Sequence, residues 1–331
     1  MQNKPRIDET DAEILSSLLR ESRTTLTEMA KNCMISVGAV KARYERLKRE
    51  GVITGEIMQL DPRVIGFSTV VDLGISTSVE DESRVIEFLK SKPYIAILGA
   101  GAFWKFNIRA FVVLTSVEKL AEILEELEAN PQVKQIHTLI WAEVIGMDYP
   151  ENLLMDGLKT KKEAPNQGQI QKQRTTDHKQ IKLDETDRQI AKKLTRNART
   201  PFKRIAEDLG ISTKSVIQRY QKLRGNLLTM STITVDLKKL GYNALAHVLI
   251  KASKRNEMSR IHNQILGIPN AIVAIRLIGS YDLRAIVAVR DFEDVFELNQ
   301  SIRKIEGIDQ ADIYLIAPFP EWPLNLFASL L

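Results

Sequence analysis

Two serines, Ser36 and Ser212, each stand in front of a stretch in which cationic and amide side chains recur at helical spacing. Behind Ser36 the outward positions are Gly38, Lys41, Ala42, Glu45, Arg46 and Arg49. Behind Ser212 they are Thr213, Lys214, Ile217, Gln218, Gln221 and Lys222. A Gln side chain can pair bidentately with adenine and a Lys or Arg with guanine, and cations further out can reach phosphates. Arg43 and Arg219 flank the inward stripe and either reach a nucleic-acid backbone or close the fold. The expected contact set for double-stranded DNA is therefore Ser36, Gly38, Lys41, Arg43, Arg46, Arg49, Ser212, Thr213, Lys214, Gln218, Arg219, Gln221 and Lys222.

Chemistry of the catalytic kind is harder to find. The sequence has no Gly-rich phosphate loop, no nucleophile elbow and no metal-ligand spacing. His178 lies in a polar stretch, and His137, His247 and His262 fall at unmatched positions of the repeat described below, so His137 and His247 are expected as core or edge residues. The single Cys33 excludes an intramolecular disulfide and a cysteine-rich zinc site. No catalytic residue, metal or cofactor is expected.

These residues belong to a repeat. Residues 7–49 and 183–225 align without a gap and are identical at 16 of 43 positions. Asp61 and Gly66 then answer to Asp236 and Gly241, and Pro93 to Pro269. In each copy an aspartate (Asp8, Asp184) sits where a helix N-cap belongs, with Asp11 or Asp187 three residues on. Ile14 and Leu18, matched by Ile190 and Leu194, give a first helix. Ala30 and Ala206 lie on a second. Ser36 and Ser212 cap a third, whose stripe is Val40, Tyr44 and Leu47, or Val216, Tyr220 and Leu223. Three short helices with a tight turn before the third form a helix-turn-helix, whose third helix enters the major groove. Glu56 to Leu60, closed by Asp61-Pro62, reads as a short strand pair, a wing followed by a hinge. Met34 stands where copy 2 has Gly210, at a turn position that favours positive φ. Copy 2 lacks the Gly51-Val52-Ile53 exit, so its third helix is expected to end early.

Beyond the wing the period changes. Strands are expected at 67–75, 94–100, 106–114 and 133–145, with helices at 81–91 and 117–129. In copy 2 strands are expected at 243–252, 271–279, 283–289 and 311–317, with helices at 257–266 and 292–304. The order βαββαβ gives an antiparallel sheet with both helices on one face. Strands as apolar as 271–275 and 285–289 are buried on both sides, so the open sheet face must meet another copy, within the chain or between chains. The expected fold is α+β: two copies of a winged helix-turn-helix followed by a ferredoxin-like βαββαβ domain. The expected domains are 1–60 and 182–235 for the helix-turn-helix heads and 61–150 and 236–331 for the ferredoxin-like parts, with a polar linker at 151–181. The ending Trp322 to Phe327 could cover a sheet edge or a pocket.

The net charge of +5 is uneven: +1 over 1–60, −5 over 61–150, +3 over 151–182, +6 over 183–235 and zero over 236–331. A basic surplus in the second head suits a polyanion, and that head is expected to supply most of the phosphate affinity. No apolar run is long enough to span a membrane and no signal peptide opens the chain, which points to a cytoplasmic protein.

At these residues the sequence resembles the Lrp/AsnC (leucine-responsive, feast/famine) regulators. The resemblance rests on Ile7 to Asp11, Arg23-Thr24, Ile35-Ser36, Val40, Arg43, Leu47, Gly51-Val52-Ile53 and Asp61-Pro62 through Gly66. In copy 2 it rests on Leu183 to Asp187, Arg199-Thr200, Gly210-Ile211-Ser212, Val216, Arg219, Leu223 and Gly279 to Leu283. It covers nearly the whole chain, twice over. It implies a DNA-binding transcriptional regulator, not an enzyme, that forms a homo-oligomer or an intrachain pseudo-dimer through its ferredoxin-like parts. It also implies an amino-acid effector near the turn of Gly279, Ser280, Tyr281 and Asp282. The equivalent turn in copy 1, Gly101 to Trp104, lacks the aspartate. Two other readings share the architecture: a sirohaem decarboxylase-like enzyme and a chromatin-like DNA coater.

Overall fold

The computed structural model describes residues 5–103, 105–142, 150–154 and 182–331. Most of the expected linker, 155–181, lies outside the described residues, as do Trp104 and the end of the expected strand 133–145. The rest folds as two compact units. One gathers both helix-turn-helix heads with residues 318–331, and the other gathers both ferredoxin-like halves. Domains that are consecutive in sequence are thus regrouped in space, like with like.

In the first unit, head 1 consists of α1 (Glu9–Arg20), α2 (Leu26–Cys33) and α3 (Val37–Arg49), followed by β1 (Ile53–Leu60). Asp8 accepts from the Asp11 N–H at 2.8 Å while the Asp11 carboxylate accepts from the Asp8 N–H, a reciprocal capping box. In copy 2, Asp184 and Asp187 repeat it at the start of α6 (Glu185–Arg196), which leads to α7 (Phe202–Leu209) and α8 (Thr213–Leu223). As expected, α8 is shorter than α3. It stops at Leu223 because Arg224 turns extended. Met34 does adopt left-handed backbone, φ 55°, against 65° for Gly210.

The strand after α3 corrects the expected wing. β1 does not fold back on a neighbour in its own head. It runs antiparallel to β6 (Leu228–Val235) of the other copy, with Glu56 opposite Ile233 and Ile57 opposite Thr232. Each first helix then packs on the other copy's strand, α1 on β6 and α6 on β1. Thr232 Oγ1 donates to the Leu19 carbonyl at 2.8 Å, and the Ala198 N–H donates to the Glu56 carbonyl at 2.8 Å. The ribbon's outer edge is closed by the chain end. Val235 and Trp322 exchange both backbone hydrogen bonds (2.8 and 3.0 Å), and Leu324 accepts from Gln59 Nε2 at 3.0 Å. Of the two roles read for Trp322 to Phe327, covering a sheet edge is the one seen.

The second unit is an eight-stranded sheet in the order β10-β7-β9-β8-β5-β2-β4-β3. Copy 1 contributes β2 (Thr69–Ser76), β3 (Ile95–Phe103), β4 (Phe106–Leu114) and β5 (Gln135–Trp141), with α4 (Glu82–Lys90) and α5 (Glu118–Glu128) between them. Copy 2 contributes β7 (Ala244–Ala252), β8 (Ala271–Ile278), β9 (Leu283–Val289) and β10 (Ile308–Ile316), with α9 (Met258–Leu266) and α10 (Phe292–Arg303). Both halves have the ferredoxin-like strand order. They join where Ile140 of β5 meets Ile278 of β8. In copy 1, Val85 and Leu89 of α4 and Leu120, Ile123 and Leu127 of α5 cover Val71, Leu73, Ile75, Ile108 and Val112 of the sheet, all buried. Every residue of β9 is buried. That follows from helices on one face and the other half on the opposite face, so the two halves pair within a single chain.

Candidate functional site

On the reading heads, Ser36 and Ser212 act as the caps expected of them, accepting from the Ala39 N–H at 3.2 Å and the Ser215 N–H at 3.0 Å. Four of the expected DNA-contacting cations are held inside their own heads. Arg43 Nη1 reaches Asp8 (2.7 Å) and Asp11 (2.8 Å), and Arg46 reaches Asp11 at 2.5 Å and Glu50 at 3.2 Å. Copy 2 repeats the clamp with Arg219 on Asp184 (2.6 Å) and Asp187 (2.7 Å), and with Lys222 on Asp187 (2.6 Å). Donating to the Asp8 and Asp11 carboxylates raises the pKa of Arg43, and the Arg219 guanidinium holds the Asp184 carboxyl below the usual carboxylate range. The clamp fixes the third helix against the start of the first. Of the thirteen expected residues, Lys41, Arg49 and Lys214 are exposed cations without an ion pair among the described residues. Gln218, Gln221, Thr213 and Gly38 are also exposed.

The heads are locked together reciprocally. Arg23 Nη1 donates to the carbonyls of Ala198 and Thr200, and its guanidinium lies 4.3 Å from the centre of the Phe202 ring. Arg199 Nη1 donates to the carbonyls of Ser22 and Thr24 and lies 5.4 Å from the Tyr44 ring. Both third helices therefore ride on one body.

A second constellation lies in the ferredoxin-like unit, and sequence reading missed it. Arg109 on β4 and Arg284 on β9 are 8% and 3% exposed. They occupy equivalent positions, Arg109 opposite Gly74 and Arg284 opposite Leu249. Asp72 on β2, 4% exposed, accepts from Arg109 Nε at 2.9 Å and Nη2 at 2.7 Å, and it also pairs with Arg284 of the other half. Burial lowers both arginine pKa values from the ordinary one. A cavity of about 320 Å³, counting its open mouth, lies beside them. It is lined also by Phe106, His137, Leu249 and Tyr314. The signal was present in the sequence: an arginine within two otherwise apolar strands, 175 residues apart.

His137 lines this cavity, stacked on Phe106 at 5.2 Å. His247, stacked on Tyr314 at 5.1 Å, is buried in a strand as expected. Burial first, then the Arg109 charge, pushes its pKa well below the usual histidine value. The expected effector residues form the β8–β9 turn. Gly279 is at φ 148°, and a Cβ there would lie 2.9 Å from the Thr138 carbonyl oxygen. Ser280 Oγ is 2.6 Å from His137 Nε2, Tyr281 donates to Asp312, and Asp282 Oδ2 accepts from the Ala252 N–H at 3.0 Å. In copy 1, Gly101 to Phe103 belong to β3 rather than to a turn.

Comparison with known proteins settles the family. The AsnC-type helix-turn-helix domain matches residues 183–224, and a winged helix-turn-helix DNA-binding domain matches residues 7–54. The regulator LrpA of Pyrococcus horikoshii is 37% identical over 118 residues, 36% of this chain and 83% of that protein. The chain belongs to the Lrp/AsnC family. A second relative, the regulator FL11 of Pyrococcus furiosus, is 25% identical over 38% of this chain and 84% of its own length. Such coverage is what a one-unit relative gives against a two-unit chain. Across the full length the fold is that of the siroheme decarboxylase NirDL, with TM-score 0.62, 15% identity, and 94% of this chain and 91% of that one covered. That enzyme was also solved with an iron-uroporphyrin III analogue. Among the described residues no helix is long and apolar enough to cross a membrane, and no group of His, Cys, Asp and Glu side chains could hold a metal ion.

Proposed function

We propose that the chain is a cytoplasmic, sequence-specific DNA-binding transcriptional regulator that carries both reading heads of a pseudo-dimer in one polypeptide. One observation carries this reading: two capped third helices on one interlocked body, each presenting exposed cations or amides that no internal carboxylate engages. Lys41 and Arg49 serve one head, and Lys214, Gln218 and Gln221 the other. The clamp residues Arg43, Arg46, Arg219 and Lys222 orient the helices and contribute to the phosphate field at their outer edges. The second head, with its larger basic surplus, supplies most of the phosphate affinity. The Gly279 to Asp282 turn serves chiefly as scaffold, because Asp282 holds the end of β7. Footprinting of the full chain on genomic fragments tests the reading. Short paired protected segments are expected; continuous coverage would make the protein an architectural coater instead.

A second reading, an enzyme acting on a sirohaem-like tetrapyrrole, has its own support in the full-length likeness to NirDL and in two arginines and a histidine lining one cavity. Asp72 already engages both arginines, and the cavity is small for a macrocycle, which weighs toward the regulator. Mixing the protein with iron-uroporphyrin separates the two. A stable haem-type absorption band followed by loss of carboxyl groups would favour the enzyme.

A further inference from the structure

The two third helices share their inward side chains and none of their outward stripe. The serine caps, the buried Val, Tyr and Leu of each helix and the clamp residues Arg43 and Arg219 are identical pair by pair. The exposed stripe at i, i+1, i+4, i+5 and i+8 reads Val37, Gly38, Lys41, Ala42 and Glu45 on α3. On α8 it reads Thr213, Lys214, Ile217, Gln218 and Gln221, so the two copies differ at every one of these positions. None of these side chains makes a hydrogen bond or ion pair among the described residues. The body beneath them is nonetheless two-fold: the contacts of Arg23 and Arg199 are reciprocal, and β1 runs antiparallel to β6. In a symmetric dimer both reading helices are copies, so the two half-sites must be copies too. Here one chain encodes the two reading faces separately and holds them on one interlocked body.

We propose, resting on the DNA-binding reading above, that the target is a non-palindromic duplex whose two half-sites differ in base sequence, one for each head. The pair Glu45 and Gln221 carries most of the difference. A carboxylate in the major groove is repelled by the phosphates and finds its partner in the N4 amino group of cytosine. A Gln amide both donates and accepts, and it matches N6 and N7 of adenine. Gln218 adds a second amide of that kind where Ala42 offers only a methyl group. Ile217, 37% exposed, sets an apolar surface where Lys41 carries a charge, which suits a thymine methyl. The first half-site therefore holds a C·G pair under Glu45, and the second is rich in A·T pairs.

Selection from a random duplex library by the full chain tests this. The expected consensus has two unlike parts at fixed spacing, and it binds at least about tenfold more tightly than a palindrome built from either part. The variant Val37→Thr, Gly38→Lys, Lys41→Ile, Ala42→Gln, Glu45→Gln gives the first head the stripe of the second. These positions are exposed, and a Cβ at Gly38 would meet only Ser36 Oγ, at 4.0 Å, so the fold tolerates the change. That variant is expected to select an inverted repeat of the A·T-rich part. Should it misfold, Gln218→Ala with Gln221→Glu makes the opposite change and is expected to replace adenine by cytosine under residue 221. A palindromic consensus from the parent, duplex binding with no consensus at all, or the same consensus from parent and folded variant would overturn the proposal and leave the DNA-binding reading standing. Absence of binding to any duplex at low salt would remove that reading and the proposal with it.

Discussion

Replacing Asp72 by Asn tests the charge arrangement most sharply. The side chain keeps its size but loses its charge, and Arg109 and Arg284, 8% and 3% exposed, then face each other with no anion between them. Breaking a buried ion pair by removing one partner costs about 3–5 kcal/mol. Two stranded guanidiniums put Asp72→Asn toward the upper end, while the amide oxygen still accepts one hydrogen bond, so about 4 kcal/mol is the working value. For a unit of this size that is a fall in Tm of roughly 8–16 °C. Arg284→Met removes the surplus charge instead and leaves the two-bond Arg109–Asp72 pair in place. It should change stability by no more than about 1 kcal/mol, in either direction. Urea unfolding followed by circular dichroism gives both numbers, provided the slope with denaturant stays constant. A loss below about 1 kcal/mol for Asp72→Asn, or equal losses for the two variants, would refute the reasoning.

Further consequences follow from other parts of the chain. Met34, 90% exposed and left-handed, gains nothing from its side chain, so Met34→Gly should stabilise the first head by about 0.5–1 kcal/mol, read by the same unfolding experiment. His247 is held neutral beside Arg109 and Tyr314. With its folded pKa depressed, the unfolded chain binds the extra proton below about pH 6.5, and stability falls there by up to about 1.4 kcal/mol per pH unit for this one group. His247→Phe should flatten that part of the profile between pH 6.5 and 5, relative to the parent, in a pH series of Tm. Arg199→Ala removes the bonds to the Ser22 and Thr24 carbonyls and the contact with Tyr44. It should speed amide exchange at the junction of the heads while leaving the ferredoxin-like unit unchanged.

Much of this architecture was legible because the sequence states it twice. The caps at Asp8 and Asp184, the Val40-Tyr44-Leu47 stripe and the βαββαβ order each follow from local spacing, which a single chain shows directly. What failed was the choice of partner. Periodicity marks Glu56 to Leu60 as strand, but it does not say that the neighbouring strand lies about 175 residues away, so a wing was expected where an inter-copy ribbon stands. The same blindness affected the site. From spacing alone Arg43 and Arg219 read equally as DNA contacts or as closers of the fold. Only the geometry shows them on Asp8 and Asp184. Arg109 and Arg284 are hard to single out from sequence, because an arginine in an apolar strand looks like an exception until its repeat partner is aligned with it. The offset moves between 176 and 175 residues beyond the heads, which hides that alignment.

The central claim is that exposed cations on two linked third helices bind duplex DNA. Its most direct test is the affinity of the full chain for a duplex as a function of salt, compared with the triple variant Lys41→Ala, Arg49→Ala, Lys214→Ala. Each phosphate contact contributes about 0.9 to the slope of log affinity against log salt, so the variant should bind more weakly and lose roughly 2–3 from that slope. A parent chain with no affinity for any duplex at low salt, or a variant whose slope matches the parent's, would contradict the account.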